Sequence, residues 1–71
     1  MREIKENTMY RHFLGHTVKV IYLATDSKTL KPCVVYEEEG KIWVRDYDDF
    51  VSEVDKLQYP ETEAVYAFTE A

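Results

Sequence analysis

Three short runs rich in β-branched and aromatic residues, separated by two polar turn signals, constrain this chain more than any other feature. In residues 17–24, Val18 and Val20 alternate with Thr17 and Lys19, and then Ile21, Tyr22 and Leu23 are continuously apolar. That pattern predicts a strand passing from one-sided to two-sided burial through a bulge. Asp26-Ser27-Lys28-Thr29 supplies side-chain oxygens that turn the backbone, and Pro32 is tolerated as the first residue of a following strand. The second run, Cys33-Val34-Val35-Tyr36, ends at Glu37-Glu38-Glu39-Gly40, where Gly40 can take the positive φ of a tight turn. In the third, Lys41-Ile42-Trp43-Val44-Arg45, Ile42 and Val44 share one face, and Trp43 and Arg45 the other. Composition agrees: Val (8), Ile (3), Thr (6) and the aromatic residues far outnumber Leu (4) and Ala (4).

Asp46-Tyr47-Asp48-Asp49 offers capping oxygens and negative charge to the positive end of a helix. Phe50, Val54 and Leu57 follow at i, i+4 and i+7, an apolar stripe over about two turns. Tyr59-Pro60 ends it, because a residue before proline avoids the helical region. In residues 62–70, Ala64, Tyr66 and Phe68 share one strand face and predict a closing strand. Residues 1–9 are charged and aperiodic, and read as an N-terminal arm with Ile4 and Met9 as anchors; residues 10–71 read as the single domain. The expected fold is mainly β: a small curved antiparallel sheet or open barrel with one short helix before the last strand.

A chain of 71 residues forms one core at most and leaves little room for an elaborate buried active site. Its 45% hydrophobic content is too rich for disorder. The net charge of −5 is unevenly laid out: residues 1–36 hold six Lys/Arg against three Asp/Glu, and residues 37–71 hold three against eleven. The acidic balance disfavours nucleic acid and anionic membrane surfaces as partners. With Cys33 alone there is no intrachain disulfide, which fits a reducing cytoplasm. The N-terminus lacks the apolar stretch of a signal peptide, so the expected location is cytoplasmic.

The catalytic and metal-binding grammars are weak. His12 and His16 stand four apart, but Gly15 lies between them and a β segment follows, so the helical face that would present both to a metal is not expected. Cys33 begins an apolar strand and reads as a core thiol. The carboxylate clusters at residues 37–39 and 46–49 have turn and capping roles. Gly15 and Gly40 are too few for a phosphate-cradling loop. The expectation is a protein that is not an enzyme and carries no metal and no cofactor.

Surface recognition remains. Trp43 and Arg45 project from one strand face, Tyr36 on the preceding strand can lie beside them, and Tyr10, Arg11 and His12 can extend the patch. Those six are the candidate ligand-binding residues of a non-catalytic binding or adaptor module for a peptide, protein or small ligand. The bland alternative seats Trp43 in the core. Two other functions stand behind it: a nucleic-acid accessory domain using Arg11, Lys19, Lys28, Lys31 and Arg45, and a subunit of a small oligomeric enzyme.

Tyr10-Arg11-His12-Phe13 with Gly15, the Asp26–Leu30 turn, Val34-Val35-Tyr36, and Trp43-Val44-Arg45 with Phe50 together resemble a family of short bacterial proteins catalogued as domain of unknown function 1653. The resemblance covers residues 10–54. Leu14 stands where that family usually has Lys, and Asp46-Tyr47 where it has Pro-Leu. The resemblance implies an SH3-like small barrel and brings no settled activity.

Overall fold

A computed structural model describes residues 3–71. Among the described residues five strands, β1 (Thr8–His12), β2 (Thr17–Thr25), β3 (Pro32–Glu38), β4 (Lys41–Asp46) and β5 (Phe68–Glu70), form one antiparallel sheet in the order β4-β3-β2-β1-β5. A single helical turn, α1 (Tyr47–Phe50), precedes the last strand. The architecture is the expected mainly β one, with the sheet left open: β4 and β5 are its two edges.

The turns form where their chemistry predicts. The Asp26 carboxylate accepts the backbone N–H groups of Lys28 (2.8 Å) and Thr29 (3.0 Å), which hold its pKa below the ordinary value. Glu39 and Gly40 both take positive φ (53° and 79°), the two-residue hairpin turn whose twist matches that of the flanking strands. The bulge also appears, between Val20 and Tyr22 in the pairing of β2 with β3. The stretch after it is not buried on both sides, for Tyr22 and Leu23 are exposed. Beyond Val20, β2 has no β1 partner, and the Glu6 carboxylate accepts the Leu23 N–H instead (3.0 Å).

Two expectations about the ends of the chain need correcting. Thr8–His12 is a full strand, so the arm ends before Thr8; Ile4 anchors it in the core as expected, but Met9 does not, being exposed. The helix stops after one turn instead of running to Tyr59, because residues 52–54 extend and pair with residues 65–67. Ala67 N–H donates to Ser52 O (3.1 Å), Val54 N–H donates to Val65 O (2.8 Å), and Glu53 bridges Tyr66. Phe50 and Val54 are buried as the stripe predicts, but Leu57 is 96% exposed. The last strand shortens accordingly to Phe68–Glu70.

One face of the sheet holds the core. Tyr10, Val18, Val20, Val34, Tyr36 and Phe68 gather around Phe50, whose ring stacks on Phe68 at 4.2 Å and meets Tyr10 edge-on at 5.7 Å. Burial of these groups is the main force holding so short a helical turn in place. Among the described residues no helix is long and apolar enough to cross a membrane.

Candidate functional site

Register decides which side chains meet. In the β3–β4 pairing Trp43 lies opposite Tyr36 and Arg45 opposite Val34, and directly opposed residues of an antiparallel pair share a face. Trp43 and Arg45 therefore do project together, from the face that carries the core. Tyr36 and Tyr10 are buried in that core, where the Tyr10 hydroxyl accepts the Lys5 N–H (2.9 Å). Trp43, on the edge strand, has neighbours on one side only and stays 45% exposed at the rim, its indole N–H donating to Glu38 O (3.4 Å). Arg11 pairs with Thr17 and Thr69 and, one residue out of phase with Tyr10, points to the opposite face. The six candidate residues thus separate into two core tyrosines, one arginine on the far face, and a rim made of His12, Trp43 and Arg45.

Four residues outside that set meet the rim: the core residue Phe68, and Asp49, His16 and Glu38. Phe68 lies opposite His12 in the β1–β5 pairing, and their rings meet edge-on at 4.8 Å. Arg45 places its guanidinium carbon 5.4 Å from the centre of the same Phe68 ring. A cation–π contact therefore spans the two sheet edges that the backbone leaves unjoined. Arg45 also lies 3.8 Å from the Asp49 carboxylate, a loose and partly solvated pair. His16 stacks on His12 at 4.4 Å with the rings 10° from parallel, and its Nε2 lies 3.3 Å from Glu38 Oε2. The hairpin turn between β1 and β2 makes this stack, since His12 N–H donates to His16 O (2.8 Å) and Gly15 N–H to His12 O (2.8 Å). The four-residue spacing, which the intervening Gly15 and the following β segment argued against reading as a helical pair, is here the span of a tight hairpin.

The electrostatics of the rim follow from this packing. Burial holds the His12 imidazole below its ordinary 6.5; the positive charges of His16 and Arg45 add to the effect, and the Glu38 carboxylate opposes it. The Leu14 N–H donates to His12 Nδ1 (3.2 Å), a bond that requires an unprotonated nitrogen. Beside the rim, Glu38, Glu39, Lys41 and Trp43 line a shallow cleft of about 190 Å³. Among the described residues, no group of three or more His, Cys, Asp or Glu side chains gathers as for a metal ion.

The family model described as "Protein of unknown function (DUF1653)" matches residues 8–68. The chain belongs to the DUF1653 family. No curated protein and no solved structure matches it. Of the residues that carry the sequence resemblance to DUF1653, Tyr10, Val34, Tyr36 and Phe50 build the core and His12, Trp43 and Arg45 lie on the same face of the sheet, whereas Arg11, Val35 and Val44 point to the other face. Sequence reasoning missed the contacts that Glu38 and the buried Phe68 make with the rim, because these arise only when the two hairpins and the last strand fold together.

Proposed function

We propose that this DUF1653 domain is a non-catalytic interaction module that docks a segment of protein chain at the β4 rim. The observation that carries the reading is the exposure of Trp43 on the same face as Arg45, on an edge strand whose Ile42 and Val44 are also exposed. An extended segment that adds to such an edge gains main-chain hydrogen bonds, while neighbouring pockets and aromatic surfaces read its side chains. Trp43 offers a flat apolar surface, and the loosely paired Arg45 offers a charge for a carboxylate or backbone carbonyl.

Trp43 is the one tryptophan, so its emission reports on the rim directly. A displayed random-peptide library is panned on the wild-type domain and on Trp43→Ala. The wild type should select peptides that shift Trp43 emission, and Arg45→Ala should weaken them by roughly tenfold or more. A selection that recovers the same peptides on Trp43→Ala, or none on either, overturns the reading.

A further inference from the structure

The two edges of the sheet differ. β5 is three residues long and its one large apolar side chain, Phe68, is buried. β4 is six residues long, straight in its pairing with β3, free of proline, and exposes Ile42 (58%), Trp43 and Val44 (67%). Natural sheets guard such edges with Lys, inward charges, bulges or prolines, because an edge strand is a template for another strand. β4 has Lys41 at its start and the inward Arg45, but no bulge and no proline, and its middle is apolar. The backbone of β4 is set for another strand. Because the Glu39-Gly40 turn makes its flanking pair, Glu38 and Lys41, a hydrogen-bonded one, backbone groups alternate from there. Lys41, Trp43 and Arg45 face β3, and Ile42, Val44 and Asp46 present their N–H and C=O groups outward.

We infer that the occupant of this edge is a second copy of the same chain, joined β4 to β4 antiparallel about a two-fold axis at Val44. The inference rests on the interaction-module reading and names its partner. A two-fold axis perpendicular to the sheet sets each residue opposite one on the same face, so the choice lies among registers two residues apart. The register centred on Trp43 sets Lys41 opposite Arg45 of the second copy, and the one centred on Arg45 sets two guanidinium groups face to face. Both bring like charges together on directly opposed residues. Centring on Ile42 would draw the Glu39-Gly40 turn into the pairing and lose ladder hydrogen bonds. The register centred on Val44 places Trp43 opposite Arg45 of the second copy at a non-hydrogen-bonded pair, where side chains approach most closely, and indole and guanidinium are complementary there. It pairs Val44 with Val44 on the other face and joins the outward groups of Ile42 to those of Asp46. The five-stranded sheet becomes continuous across the pair.

Sedimentation equilibrium of the full chain over about a hundred-fold range of concentration tests this. The wild type should move from one chain mass to two. Val44→Lys and Val44→Asp, both at an exposed position whose backbone is untouched, should each remain monomeric, because like charges then meet at the axis. An equimolar mixture of the two should recover the dimer, because Lys now faces Asp. Protection of the Ile42 and Val44 amides from hydrogen exchange in the wild type, lost in either variant, supports the same pairing without depending on charge. A monomeric wild type, variants that associate as the wild type does, or a mixture that stays monomeric overturns the inference. A monomeric wild type whose Trp43 emission still responds to selected peptides overturns self-pairing alone and leaves the module reading intact.

Discussion

At His12 a single imidazole touches three parts of the fold: it stacks on His16, meets the Phe68 ring edge-on, and takes the Leu14 N–H on Nδ1. Burial, then the charges of His16 and Arg45, hold its folded-state pKa below 6.5, with Glu38 opposing. Between that lowered value and 6.5 the unfolded chain binds more protons at this position than the folded one, so stability rises with pH there. The contribution is fully present above 6.5 and is lost as pH falls through the folded-state value. Urea midpoints measured from about pH 8 to about pH 5 should fall for the wild type and fall less for His12→Gln, which keeps a polar side chain and cannot titrate. Equal pH dependence in the two proteins would show that the hairpin tolerates a charged His12 at no cost. The sequence showed the two histidines and their spacing, but not that a hairpin would lay one ring on the other, since that geometry belongs to the turn.

The segment after β4 shows how one hydrophobic pattern can serve two structures. Phe50 and Val54 at i and i+4 fit a two-turn helix, and they fit equally a single turn followed by an extended stretch that returns to the core. Pairing of residues 52–54 with residues 65–67 selects the second, because short helices have little stability of their own and the bridge satisfies backbone groups of both segments. Leu57 separates the alternatives, being a core residue of the long helix and fully outside the short one. Leu57→Ala should change unfolding free energy by no more than about 0.5 kcal/mol, whereas loss of a buried leucine costs about 2–5 kcal/mol. Denaturant titration of the two proteins distinguishes these outcomes. Strands β2, β3 and β4 were legible to within a residue or two because alternation and turn chemistry agreed there. β1 was not, because Met9 is exposed while Tyr10 is buried, and the alternation of so short a strand is visible only once its partners are known.

For the molecule as a whole, an open sheet must close its core with side chains instead of a ladder between its edges. Arg45 over Phe68 covers one part of the opening, and the segment before β1 covers another. Ile4 is buried among the core residues, its N–H donates to the Tyr47 hydroxyl (3.1 Å), and Lys5 pairs with Glu70 of β5 (3.5 Å). The exposed Lys5–Glu70 pair adds little to stability by itself; the apolar burial of Ile4 carries the attachment. A domain this small has a stability of about 5–15 kcal/mol at most, so losing one fully packed side chain is a large fraction of the whole. Ile4→Ala should therefore lower unfolding free energy by about 2–5 kcal/mol. Because Ile4 belongs to the same cluster as Phe50 and Phe68, the loss should appear as one cooperative transition, with Trp43 emission and far-ultraviolet dichroism moving together. If instead Ile4→Ala cost less than about 0.5 kcal/mol, the segment before β1 would be peripheral to the core. The open face would then be closed by α1 and by Arg45 over Phe68, and Tyr47 and Tyr10 would have to tolerate solvent at the positions where Ile4 and Lys5 now meet them.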